Sequence, residues 1–128
     1  MEYFGRWEFR ATLTEWRRTL KPGGILRLAV PDLAACAKLY YEPGLADGLT
    51  GLIGLSVGGQ RDGMDDHRMI FDEPFLRQEL LGLGFRNIRR WDWRSTEHSE
   101  IDDDSQSYLP HLDKEQGTLM SLNLEAEK

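Results

Sequence analysis

The run Leu20-Lys21-Pro22-Gly23-Gly24-Ile25-Leu26-Arg27-Leu28-Ala29-Val30-Pro31-Asp32 sets the frame for the whole chain. Ahead of it, Phe9, Leu13, Trp16 and Leu20 recur at i, i+4, i+7 and i+11, which lines one face of a helix. Pro22 cannot continue helical bonding, and Gly23 and Gly24 free the backbone to turn. Ile25 to Val30 is apolar except for Arg27, the composition of a strand covered on both faces. Pro31 closes that strand. Asp32 can cap a second helix, whose buried face is expected to be Leu33, Cys36, Ala37 and Tyr40.

Further along, glycine density rises between Glu42 and Gly63, with a short helix expected over Leu49–Leu55, weakened by Gly51 and Gly54. Asp72 opens a firmer helix, with Glu73 and Pro74 in its first turn, Phe75, Leu76, Leu80 and Leu83 apolar, and Gly84 as a left-handed cap. A strand follows near Arg86 to Trp93, placing Trp91 and Trp93 on one face, for core packing or for stacking on a substrate. The last strand has the clearest period: Met120, Leu122, Leu124 and Ala126 alternate with Ser121, Asn123 and Glu125. The first two strands, joined by a helical crossover, predict a right-handed parallel unit to which the final strand returns antiparallel.

The chain has 128 residues, enough for one domain over residues 1–128 with a single core. Hydrophobic residues make up 40% and charged residues 30%, as in soluble globular proteins. A net charge of -6 argues against sequence-independent nucleic-acid binding, which needs a basic face. The single cysteine, Cys36, excludes an intrachain disulfide and fits a reducing cytoplasm. No apolar run approaches the ~18 residues of a membrane span, and the start carries no signal-peptide pattern.

The stretch from Leu20 to Asp32 resembles class I S-adenosylmethionine-dependent methyltransferases, in which a helix ending in L-K-P-G-G feeds the fifth strand of a seven-stranded sheet. Phe71-Asp72, Leu83-Gly84-Phe85 and the run from Gly117 to Ala126 are similar to that family's later helix, sixth strand and antiparallel seventh strand. The resemblance covers nearly the whole chain. It implies an α/β fold, a partial Rossmann-like methyltransferase sheet with equivalents of strands 5, 6 and antiparallel 7. The family's G-x-G-x-G cofactor loop and the acidic residue ending its second strand are missing from this sequence. Gly58-Gly59 follows the fifth-strand equivalent and does not replace that loop. The expectation is therefore a C-terminal half, incomplete by itself, with S-adenosyl-L-methionine as cofactor. Glu2, Tyr3 and Phe4 match the stretch after the family's fourth strand and imply an edge of the cofactor pocket; Tyr3 stands where relatives often carry histidine.

Ligands in open α/β sheets sit beyond the carboxyl ends of parallel strands. Two long connections leave those ends here, 31–70 and 93–117, and together they are expected to form the acceptor side of a pocket. In the first, His67 is a candidate base and Arg68 a partner for an anionic acceptor; local capping is the structural alternative. In the second, Glu97, His98, Asp102, Asp103, Ser105, Tyr108 and His111 can orient a polyhydroxyl acceptor, or form a solvated acidic loop. Twelve residues separate His98 from His111, unlike the close pairs of zinc sites, and the calcium-loop pattern lacks its glycine and final glutamate, so no metal is expected.

The leading expectation is methyl transfer to a small-molecule or saccharide-like acceptor. A non-catalytic interaction module is the second: without a fourth strand, the 25–30 strand has an exposed edge, open to a homodimer or to a partner chain that supplies the missing half. A metal-dependent hydrolase built on the histidine and aspartate loop is the third. No nucleic-acid or membrane partner is expected, and the expected location is cytoplasmic.

Overall fold

A computed structural model describes residues 1–41 and 51–128. Helix α1 (Glu8–Thr19) buries Phe9 and Leu13, with Trp16 and Leu20 packed at the rim of the core. The chain turns through Gly23, at φ +73, while Gly24 N–H donates to Lys21 O at 2.8 Å. Strand β1 (Ile25–Pro31) leads into α2 (Leu33–Tyr40), capped by Asp32, whose side chain accepts from Ala34 N–H at 3.0 Å. A short helix α3 (Leu52–Val57) precedes α4 (Glu73–Gly82), where the Asp72 carboxylate accepts from Phe75 N–H at 2.8 Å. Strand β2 (Arg86–Arg90) is followed by three single-turn 3-10 helices, Trp93–Ser95, Glu97–Glu100 and Asp104–Gln106. A two-residue pair, β3 (Tyr108–Leu109) and β4 (Thr118–Leu119), leads to β5 (Ser121–Glu127).

The main sheet has the order β1-β5-β2, with β5 antiparallel to both neighbours. β1 and β2 therefore run parallel, as expected, and the antiparallel last strand lies between them. One face of the sheet carries Leu28, Val30, Leu122, Leu124 and Ala126 against α1 and α4, where Phe9, Leu13, Leu76 and Leu80 close the core. Burial of four to five such side chains at roughly 1.5–3 kcal/mol each makes this face the main source of stability.

The other face is polar and is also covered. Ser121, Asn123 and Glu125 are buried, although their alternation with leucines marks a strand that could have faced water. The 93–109 segment lies across them: Asn123 Nδ2 donates to Ser105 O at 2.9 Å, and Ser121 Oγ donates to Asn123 Oδ1 at 2.8 Å. Glu125 sits between Arg27 at 3.0 Å and Arg89 at 2.6 Å. Ser121, Asn123 and Glu125 each have a partner, which removes the desolvation cost of leaving them unpaired.

Several expectations are corrected. Of the face expected for α2, Cys36 is buried, joined by Leu39 and packed on Leu52 and Met120, whereas Leu33, Ala37 and Tyr40 are exposed, so the inward stripe is narrower and rotated toward Leu39. Burial pushes the Cys36 thiol up to about 11, so it is an unreactive core group at neutral pH. Trp93 is not on a strand: β2 ends at Arg90, and Trp93 opens a 3-10 turn, packing with Trp91 and Tyr108 in a separate small core. The helix expected over Leu49–Leu55 begins among residues outside the described ones; the described helix is Leu52–Val57. No helix among the described residues is long and apolar enough to cross a membrane.

Among the described residues β1 has one neighbouring strand, β5. Lys128 N–H donates to Gly24 O at 2.9 Å and Asp32 N–H to Met120 O at 2.8 Å, and antiparallel residues alternate between bonded and unbonded pairs. Leu26, Leu28 and Val30 thus bond toward β5, whereas Ile25, Arg27 and Ala29 turn their N–H and C=O groups to the opposite edge. No strand lies on that edge among the described residues. Pro31 falls in the outward set, where its missing N–H leaves no ladder bond unmade. Beyond it, Leu33 N–H donates to Phe71 O at 2.8 Å and closes the run. Native-state hydrogen exchange checks this parity: the Arg27 and Ala29 amides are expected to exchange roughly two orders of magnitude faster than those of Leu26, Leu28 and Val30. Uniform protection along β1 would contradict it.

Candidate functional site

The carboxyl end of β1 is built from both sides of the sheet. Arg90, at the end of β2, reaches Glu73 of α4 at 2.6 Å and the capping Asp32 at 3.4 Å, tying the two strand ends together. Arg77 adds a second contact to Glu73 at 2.6 Å, and the guanidinium hydrogen bonds of Arg77 and Arg90 hold the Glu73 carboxyl below its ordinary value. Above this clamp lies a cleft of about 110 Å³. Its polar groups come from Glu2, Tyr3, His67, Asp104, Ser107 and Ser121, and its apolar floor is Val30, Pro31 and Met120.

His67 is held there by a tight turn. Gly58, at φ +83, lets the chain fold back so closely that a Cβ would fall 2.3 Å from Asp65 O. The turn is closed by Gln60 N–H donating to Asp65 O at 2.9 Å and His67 N–H donating to Val57 O at 3.1 Å. His67 Nδ1 lies 3.0 Å from Leu55 O. A carbonyl only accepts, so Nδ1 carries the proton and the neutral ring has its lone pair on Nε2. Tyr3 meets the ring edge-on, with centroids 5.1 Å apart. In that tautomer Nε2 is the ring atom that can take a proton, on a residue that lines the cleft.

Glu2 is buried. Its Oε2 lies 3.1 Å from the Met1 amine, within ion-pair distance, yet accepts no aligned hydrogen bond. Its backbone carbonyl accepts from Arg68 and Met69 N–H at 2.8 and 3.0 Å, which seats the first residues on the His67 turn. Burial first, then the carboxylates of Glu2, Asp65, Asp104 and Asp62, push the Tyr3 hydroxyl above its ordinary value.

The acidic segment is an ordered cover. Asp103 accepts from Ser105 N–H at 2.9 Å and Ser105 Oγ at 2.5 Å on one oxygen, and lies 2.5 Å from His98 Nδ1 on the other. Burial pushes the Asp103 carboxyl up, but the hydrogen bonds of Ser105 and His98 outweigh it and hold the group below its ordinary value. His98 packs on Trp91 with centroids 4.7 Å apart, and its carbonyl accepts from Gln106 Nε2 at 2.7 Å. A shallow hollow of about 190 Å³ beside the β1 edge is lined by His98, Arg27, Trp91, Asp103 and Asp104.

The expected site residues therefore separate. Glu2, Tyr3 and His67 meet in the cleft, while Phe4 packs into the main core. Arg68 turns away to Glu8, at 3.6 Å. Glu97 binds Arg27 at 2.7 Å, and Asp102 binds Lys114 at 3.0 Å on the surface. Ser105 and Tyr108 are buried structural groups; the Tyr108 hydroxyl accepts from Trp93 Nε1 at 3.4 Å. His111 is exposed beside a separate hollow that it shares with Asp102 and Asp103. No group of three metal-ligating side chains occurs among the described residues. Sequence reasoning passed over Asp104, which borders all three hollows and whose carboxylate has no side-chain partner among the described residues, as well as Ser107 and Gly58. The Gly58-Gly59 pair was the visible signal for the turn.

S-adenosylmethionine presents a ribose diol, an adenine and an amino-acid end. At about 110 Å³ the cleft is well below the ~300 Å³ from which pockets enclose a drug-sized ligand, and no glycine lines it among the described residues. The described residues do not hold the whole cofactor. Comparisons with protein-family models, curated proteins and solved structures find no match.

Asp103 is the pin of the acidic segment. Asp103→Ala is expected to cost about 1–3 kcal/mol at neutral pH, measured by denaturant unfolding. A depressed carboxyl stabilises the fold above its ordinary value of 3.8, and that contribution fades as pH falls through the lower folded value. The difference between variant and parent should therefore close in strong acid; a difference that persists there would contradict the assignment.

Proposed function

We propose that the chain is the acceptor-side part of an S-adenosylmethionine-dependent methyltransferase, acting on a small-molecule or saccharide-like acceptor and incomplete without further strands. The observation that carries this reading is the cleft at the carboxyl end of β1, where ligands of open α/β sheets sit, with His67 in its lining and held through Nδ1 on Leu55 O. The antiparallel last strand and the helix–turn–strand entry at Leu20–Ile25 agree with the resemblance. When bound, the cofactor would supply an electrophilic methyl group; this chain's part would be to hold the acceptor, exclude water with Leu55 and Met120, and take a proton at His67. Residues outside the described set, or a companion polypeptide, would hold the rest of the cofactor. The outward backbone groups of Arg27 and Ala29 face an edge that no strand covers among the described residues, which supports the same picture.

That open edge also favours a second reading, a non-catalytic module that binds a strand from a second copy or another chain. Both need the edge; only the first needs the cleft. Titration with S-adenosylmethionine, followed by amide shifts, separates them. The methyltransferase reading expects weak, saturable shifts confined to Tyr3, His67, Asp104 and Ser121. Tight binding would refute incompleteness. Absence of shifts at those residues, together with concentration-dependent association that protects the Arg27 and Ala29 amides, would replace the enzyme with the module.

A further inference from the structure

The two outer edges of the main sheet are built differently. Along β2, Arg86, Arg89 and Arg90 are exposed, Asn87 sits at φ +51, and the register with β5 shifts between Arg86 and Arg89. The Ile88 carbonyl there already accepts from Arg77 Nη1 at 2.6 Å. Charge, a kink and a filled acceptor are features that keep another strand from joining an edge. β1 is the opposite case. It pairs with β5 in unbroken register from Ile25 to Pro31, and its one charged residue, Arg27, is held by Glu97 and Glu125 of its own chain. The outward N–H and C=O groups belong to Ile25, Arg27 and Ala29. Past them the edge is closed, because Phe71 bridges Asp32 and its carbonyl accepts from Leu33 N–H at 2.8 Å.

We infer that the β1 edge takes β1 of a second copy of this chain, antiparallel, about a two-fold axis between the two Arg27 residues. The outward groups are placed evenly about Arg27. This register therefore sets Ile25 against Ala29 of the second copy and leaves no outward donor or acceptor unused. Ile25, 42% exposed, gains cover beside the small Ala29 side chain. On the other face the half-buried Leu26 meets Leu28 of the second copy, so the apolar core continues across the joint. At the centre the two guanidiniums stand opposite each other, which like charges disfavour, but each brings the carboxylates of Glu97 and Glu125 with it. Moving the axis to Leu28 drives Ile25 onto Pro31, where Phe71 closes the edge; moving it to Leu26 leaves Ala29 unbonded. This self-matching is the reason for choosing a second copy over an unrelated strand. The inference rests on the module reading above and names its partner and register.

The test is sedimentation of the full chain from about 1 μM to about 1 mM, joined to cross-linking. The expected result is a mass that climbs with concentration from 14.8 kDa to twice that value. Ala29→Pro removes an outward N–H and no bond to β5, so it should hold the chain at the single mass with the α1 and α4 amides unchanged. Mixed Ile25→Cys and Ala29→Cys chains should form a disulfide on mild oxidation, because a bonded antiparallel pair holds its Cα atoms about 5.5 Å apart. Ile25→Cys alone should not, since its two copies would stand about 13 Å apart along the strands. The native Cys36 is buried and takes no part. A single mass at every concentration would overturn the proposal. So would association that Ala29→Pro leaves intact, or a disulfide in Ile25→Cys alone in place of the mixed one; both would leave the module reading standing. Conversely, a dimer with the mixed disulfide whose cleft amides shift with S-adenosylmethionine would keep this pairing and sink the module reading.

Discussion

Everything else in this molecule depends on a last strand buried on both faces. β5 is flanked by β1 and β2, and its leucines supply the middle of the apolar core. Its polar residues are equally enclosed, and they hold the opposite cover through specific bonds rather than through greasy contact. Asn123 grips the backbone at Ser105, and Glu125 gathers Arg27 and Arg89 from the two flanking strands. A buried carboxylate stripped of its partners would be strongly destabilising, so this pairing fixes which arginines stand beside it.

That constraint has a functional consequence. The grip on Ser105 sets the position of the Asp104–Gln106 turn, and therefore of the Asp104 carboxylate at the mouth of the cleft. From the other side, the Gly58 turn sets His67, and the first residues, bonded to Arg68 and Met69, set Glu2 and Tyr3. Three segments far apart in sequence thus converge at the carboxyl end of β1.

Much of the scaffold is legible in the residues. The period of Phe9, Leu13 and Trp16, the Pro22-Gly23-Gly24 turn, and the Asp32 and Asp72 caps depend on neighbours a few positions away, so local reasoning finds them. The interior role of Ser121, Asn123 and Glu125 does not show in this way. Their partners lie 18 residues away at Ser105 and 98 away at Arg27, and alternation alone cannot tell a solvated face from a covered polar one. The same limit explains α2, whose apolar surface is larger than the face its strand presents inward. In the acidic segment, composition marked the region correctly but could not rank its members: Asp103 is spent on capping and on His98, Asp102 on Lys114, and only Asp104 is left to face the cleft.

The dependence of the cleft on the polar side of β5 is best tested by hydrogen exchange in Asn123→Ala. Removing the side chain that donates to Ser105 O should release protection across residues 103–108 and shift the amides of Asp104 and Tyr3, while α1 and α4 keep their protection. Changes confined to β5, with residues 103–108 as protected as before, would contradict the account.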